Sequence, residues 1–448
     1  GWAHGASFSV ALPATVSESA VMRPILTPLV FSGFSREAIE FFRPQLEGWG
    51  IIPVVGGSFS EHLTETDAPF EEGAAVGVQL LRGDMSAAAI GTLTLKEDGK
   101  VLALGHPFML SGAVDFPMTT AYIHTVIPSL IVSSKMGSPL KPVGTLTQDR
   151  TTGVAGILGG SSEMVPLTLR IQRKGEDSAT TANFEIVRSR QLLPPLAGMA
   201  LGDSFRQAGS QSGEFTAKVH YEIELDGFPT ICNDDFLSGL RGFPSLASLG
   251  LFRDLNSLLS NQFAELSIRG VSMNVELQEA VESAHITGVR IRKDTLRPGE
   301  EIELKITMKP YMKDYIERQF ALRIPEHFPE GKAFVHISAA AQTAAFEAIR
   351  APFRFQPTSI EKLVKLVDED YPRNRVDIRL LVADPGIVVN GQEMPALPSS
   401  VFSVISRTVG REPIGITKAS VLLEKQIHLD FEVNGAILIP ITIDRRAL

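Results

Sequence analysis

From residue 74 to residue 173 the chain reads as strand after strand, and this limits what it can fold into more than any other feature. Val76, Val78 and Leu80 alternate with small or polar neighbours, the period of a half-buried strand. A run over 89–95 meets Lys96-Glu97-Asp98-Gly99-Lys100 before a second run over 101–104. Asp-Gly between two such runs signals a hairpin, because its turn needs residues that tolerate positive φ. Further strands are expected over 122–132, 143–147, 154–158 and 165–171, then 182–188 and 215–225. The tetrapeptide Gly-Thr-Leu-Thr occurs at 91–94 and at 144–147, which suits two similar strand pairs of one barrel.

The flanks differ in character. A strand is expected over 25–31, then a helix capped by Ser35 that runs to about Leu46 with Ile39, Phe42 and Leu46 on one face. Pro44 predicts a kink or an early end there. Gly56-Gly57-Ser58 opens an acidic loop that reaches Glu72. Residues 196–213 read as helix and then loop. Phe, Leu and Ser dominate 228–263, where 243–263 has helical spacing and forms a bridge. Short strands at 286–292, 301–308, 319–324 and 333–338, with a turn at Arg297-Pro298-Gly299, predict an Ig-like sandwich. Thr358-Ser359-Ile360-Glu361 is a capping box, and Ile360, Leu363, Val364 and Val367 give its helix an apolar face. A strand over 376–382 follows. Hairpins are expected at Asn390-Gly391 and at Asn434-Gly435, the second joining strands 426–433 and 437–443. The expected division is therefore 1–72, an N-terminal segment with one helix; 73–227, a β core; 228–284, a helical bridge and strand; 285–357, an Ig-like β-sandwich; and 358–448, a small α+β module. The fold class is mainly β with a few helices, a β-rich α+β protein.

Composition narrows function by exclusion. A formal net charge of -9 over 448 residues argues against a nucleic-acid partner, which needs a basic stripe. No run of about 18 apolar residues is present to span a membrane as a helix. Cys232 is the only cysteine, so neither an internal disulfide nor a CxxC metal site can form. The nine histidines show no HxH or HExxH spacing, and no phosphate-binding glycine motif opens a helix. No metal and no cofactor is expected on these grounds. The chain starts at Gly1 without a signal-peptide pattern, which leads us to expect a processed or trimmed portion of a protein.

One position stands out chemically. His106 lies in Leu104-Gly105-His106-Pro107-Phe108, at the end of an apolar run between two residues that enforce a change of direction, where an imidazole can be held at a cleft edge. The blocks 73–84 (Gly-Ala-Ala-Val-Gly-Val-Gln-Leu-Leu-Arg-Gly-Asp), 89–92 (Ala-Ile-Gly-Thr), 104–108 and 143–156 (Val-Gly-Thr-Leu-Thr-Gln-Asp-Arg-Thr-Thr-Gly-Val-Ala-Gly) together resemble the SpoIVB-type serine peptidases, especially their secreted bacterial relatives outside sporulation. The resemblance covers residues 25–190 well and the remainder loosely. It implies a chymotrypsin-like, β-barrel peptidase core, a serine nucleophile, His106 as its base, an extracytoplasmic location and a protein or peptide substrate.

Two departures accompany it. The family's Gly-Met-Ser-Gly-Ser-Pro nucleophile segment is absent, the nearest string being Met136-Gly137-Ser138-Pro139, and Pro107 stands where the sporulation enzymes carry glycine. In the secreted relatives the nucleophile segment precedes the Gly-His-Pro motif, so association with an upstream fragment of the same precursor is expected. Asp115 and Asp149 are the candidate orienting acids, and Ser111, Ser138 and the Gly159-Gly160-Ser161-Ser162 loop are the serines to weigh. His124, in an alternating run, reads as a strand residue with a polar partner. Glu71-Glu72 and Asp234-Asp235 read as solvated loop charges. The alternative to a peptidase is a non-catalytic envelope protein for assembly or binding on a peptidase-derived scaffold.

Overall fold

Alternation sets the architecture, which is mainly β. The computed structural model describes residues 26–57, 67–127, 134–208, 213–240, 250–369, 371–389, 392–407 and 414–447. Six antiparallel strands close on themselves. Ala75–Gly83 pairs with Ser86–Glu97, which pairs with Lys100–Ala103. That strand pairs with Gly153–Leu158, then Ser134–Arg150, then Gly112–Ile127, which returns to Ala75–Gly83. The Asp98-Gly99 turn forms as expected, with φ of 47° and 73°. Buried Val76, Val78, Leu93, Val101, Met118, Leu146 and Val154 fill the ring.

Strands are added on both sides of this ring. Thr27–Ser32 joins Ser86–Glu97, and Ile51–Val55 lies parallel to it after a crossover through helix α1 (Arg36–Gly48). Ser35 caps α1 by accepting a hydrogen bond from Ala38 N–H at 3.2 Å. The helix does not end at Pro44 but continues to Gly48. The proline removes one N–H bond, while Ile39, Phe42 and Leu46 stay fully or nearly fully buried, and that burial decides the outcome. On the other side Ala179–Val187, Met164–Arg173, Ile268–Gln278, Glu214–Leu225 and Ile231–Leu240 extend the same sheet. The boundaries expected at 72/73 and 227/228 thus fall inside one sheet. Helix α2 (Leu193–Ala208) and helix α3 (Gly250–Leu259) pack on its apolar face. The N-terminal part of the helix expected over 243–263, the loop over 209–212, and the Asn390-Gly391 turn lie outside the described residues.

A second core forms between a four-stranded and a five-stranded sheet after residue 283. Ile302, Leu304, Ile306, Val335, Ile337, Ile378, Leu380 and Ile441 interlock there. Its strands come from both sides of the boundary expected at 357/358. The hairpin expected at Asn434-Gly435 does not form. Glu432–Asn434 runs parallel to Ser283–Ile291 in one sheet, and Ala436–Ile443 pairs with Gly331–Ala339 in the other. Gly435, at φ 105°, lets the chain step between sheets where a side chain would be strained. Helix α4 (Ala340–Arg350) follows Gly331–Ala339, and helix α5 (Ile360–Asp368) is capped by Ser359. The apolar face of α5 is buried in the first core rather than the second, which ties the two together.

Beside α4 lies His336, 5% exposed, its Nδ1 without a hydrogen-bond partner and its ring 4.4 Å from that of Phe346. Burial, and then the charge of Arg379, push its pKa down to about 4 from an ordinary 6.5. The unfolded chain therefore binds a proton between pH 6.5 and 4 that the folded chain refuses, and stability falls as pH drops through that window. At about 1.4 kcal/mol per unit, the loss reaches about 3 kcal/mol. Urea unfolding at pH 7 and pH 4.5 should show a smaller acid loss for His336→Phe and His336→Leu than for the parent. Parallel losses in all three would contradict this assignment.

Candidate functional site

The bend after Lys100–Ala103 is built by two consecutive left-handed residues, Leu104 at φ 69° and Gly105 at φ 74°. A leucine is costly in that conformation, and it is held there by packing over Gly91, where an added Cβ would meet the Leu104 side chain at 2.8 Å. His106 follows, half-buried, with Nδ1 2.8 Å from the Pro107 carbonyl oxygen. A carbonyl only accepts, so Nδ1 is the donor, and in the neutral ring Nε2 keeps the lone pair.

Asp149 is 1% exposed at the end of Ser134–Arg150. Its Oδ1 accepts from Phe108 N–H at 2.8 Å, and its Oδ2 accepts from Met109 N–H at 2.8 Å and Ser111 N–H at 2.9 Å. The carboxylate is thus committed to the loop that carries His106 and not to the ring itself. Asp115 is exposed, accepting from the Thr145 hydroxyl at 2.8 Å and from Glu163 N–H at 3.1 Å. Among the described residues no hydrogen bond joins His106 to Asp115, Asp149 or a serine. Ser111 contributes its backbone N–H, and Ser162 bonds the Thr145 hydroxyl. Ser138 Oγ lies 2.9 Å from His124 Nε2 across two paired strands, with the ring of His124 edge-on to Tyr122. His124 is accordingly a strand residue with a polar partner.

Elsewhere a cleft of about 1180 Å³ lies between the outer face of the extended sheet and the C-terminal strands. Arg170, Asn274, His220 and Asp234 form one cross-strand row of its floor. Tyr371, Arg375, Arg379, Glu424 and His428 face them. The Asp234-Asp235 pair lies in a strand, not a loop. Asp235 turns inward, accepting from Phe236 N–H at 2.8 Å and Gly250 N–H at 3.3 Å, with Arg373 at 3.6 Å. Asp234 turns outward to His220 Nδ1 at 2.9 Å, and this bond, with a smaller contribution from Glu222, holds the His220 pKa above its ordinary value. None of the cleft-lining residues is His106, Asp115 or Asp149. Sequence reading missed His220 because its partners arrive from a different strand. The visible signal was His220-x-Glu222 and Cys232-x-Asp234, two same-face pairs on neighbouring strands.

Compared with known protein families, curated proteins and solved structures, the chain matches none of them.

Proposed function

We propose that this chain carries the base-bearing part of a SpoIVB-like serine peptidase acting outside the cytoplasm on protein or peptide substrates. The observation that carries the reading is His106. Its ring is presented on a bend fixed by Asp149, with Nδ1 donating to Pro107 and Nε2 left as the acceptor. That is the state a general base needs to take a serine proton. The closed ring of six antiparallel strands supports a chymotrypsin-like barrel, and the two facing sheets after residue 283 support an Ig-like module. Asp149 acts as a positioning residue through the loop. The nucleophile comes, on this reading, from an upstream Gly-Met-Ser-Gly-Ser-Pro segment of the same precursor.

The test is fluorophosphonate labelling of a protein that contains both parts. Labelling of one serine per molecule is expected, and His106→Ala should lower its rate at least 100-fold. Absence of labelling in the folded complete protein, or labelling untouched by His106→Ala, would reject the proposal. A second reading, a non-catalytic binding or assembly protein on this scaffold, is favoured by the polar cleft, which shares no residue with the His106 bend. That reading predicts no labelling at all.

A further inference from the structure

Leu110, four residues beyond His106, is held at φ 59°, a conformation costly for a leucine. The backbone reason lies on either side of it. Met109 N–H and Ser111 N–H both donate to Asp149 Oδ2, at 2.8 and 2.9 Å. Such N–H groups converge on one anion when a residue between them turns left-handed. That grip explains the conformation but not the leucine, because glycine takes it without strain and asparagine at lower cost. Leu104, the other left-handed leucine of this bend, offsets its cost by packing over Gly91. Leu110 stays 59% exposed. An apolar side chain is thus kept outward, at a cost to the fold, on a loop fixed by a buried carboxylate. Strain that the fold does not need is a mark of functional positions.

We infer that Leu110 sets substrate specificity by taking an aliphatic side chain of the peptide within about five residues of the bond that is cut. This assignment rests on the peptidase reading above. Four peptide units separate the Cα atoms of His106 and Leu110, so they lie no more than about 15 Å apart, a span that about five residues of extended peptide cover. Single exposed apolar side chains are common on protein surfaces. Strain, rigid mounting and nearness to the base together distinguish this one. A contact made by a loop already in place has little ordering cost to offset. Packing Leu110 against an aliphatic side chain should therefore contribute about tenfold or more to kcat/KM. Met312, at φ 50° and 85% exposed, shares the strain and the exposure. It lies on the turn between Glu301–Pro310 and Ile316–Arg323, in the second core's sheet, and supplies the control.

The test uses the complete protein with two probes, a fluorophosphonate and a randomised synthetic decapeptide mixture whose cleavage sites are read by mass spectrometry. The parent should cut with aliphatic residues enriched at one fixed position. Leu110→Asn keeps the left-handed backbone and removes the apolar surface. It should erase that enrichment and slow cleavage of the preferred peptides about tenfold or more, while its serine labels at the parent's rate. Leu110→Met should keep the enrichment and the rate, and Met312→Asn should match the parent. Urea unfolding of each variant checks the fold. A labelled parent without aliphatic enrichment, an enrichment that survives Leu110→Asn, or one lost equally in Met312→Asn overturns the assignment of Leu110 and leaves the peptidase reading standing. No labelling of the folded parent overturns both.

Discussion

Asp149→Ala should destabilise the protein by about 3–5 kcal/mol, because it strips a buried carboxylate from three backbone N–H groups at once. Phe108, Met109 and Ser111 all donate to it, and among the described residues no other acceptor serves those donors. Hydrogen bonds to a charged acceptor contribute about 1.5–3 kcal/mol each when taken singly. The three share one anion and one loop, so their sum is not additive. Asp149→Asn should lose less, since its amide oxygen can still accept while its NH₂ group opposes the remaining donors. Urea unfolding checks the ranking of parent, Asn and Ala. A loss under about 1 kcal/mol for Asp149→Ala would mean that the loop does not depend on the carboxylate. The same variant should also impair any activity that depends on His106, through the position of the ring rather than its chemistry.

The second large effect is expected at Glu347, 2% exposed on α4. It receives Arg350 through Nε at 2.9 Å and Nη2 at 2.7 Å, and Arg379 through Nη1 at 2.7 Å. Burial alone would raise its pKa, but the hydrogen bonds and charges of Arg350, and then Arg379 and Arg354, outweigh it and leave the group below the ordinary carboxylate value. Glu347→Ala strands two buried guanidinium groups that keep only their other partners. These are Glu393 and the Ala419 carbonyl oxygen for Arg350, and Glu424 at 3.4 Å and Asp377 at 3.7 Å for Arg379. Removing one member of a buried ion network costs about 3–5 kcal/mol because the remaining charge is uncompensated. Salt should change this loss little, since buried pairs are weakly screened. Chemical denaturation at two ionic strengths measures both points. An Ala variant as stable as the parent would show that the network contributes nothing net.

The parts of the fold that were legible in the sequence are those governed by neighbours along the chain. Alternation placed most strands of the ring, though Gly112–Ile127 begins ten residues before the strand expected over 122–132 and pairs with Ala75–Gly83 through that unforeseen part. Asp98-Gly99 marked its tight turn, and Ser35 and Ser359 their helix starts. Pairings between distant segments were not legible. Nothing near Ala75–Gly83 says that it bonds both Ser86–Glu97 and Gly112–Ile127, and that double pairing is what closes the ring. Asn434-Gly435 carries a strong hairpin signal, yet its two flanking strands are captured by different sheets. Local turn chemistry yields there to the burial of Val433 in one sheet and Ile441 in the other. The candidate site divides in the same way. His106 was visible because Gly105 and Pro107 adjoin it, whereas the commitment of Asp149 to the loop backbone depends on a contact 38 to 41 residues away. His220 and Asp234 were passed over for the same reason.

The proposed base depends on the His106 ring being held with its proton on Nδ1 and its lone pair on Nε2. Long-range ¹H–¹⁵N correlation spectra of the chain labelled at histidine, assigned with His106→Gln, read that tautomer directly. A protonated Nδ1 and an unprotonated Nε2 in the neutral ring are the predicted result. A proton on Nε2, or a ring averaging between tautomers, would contradict the account.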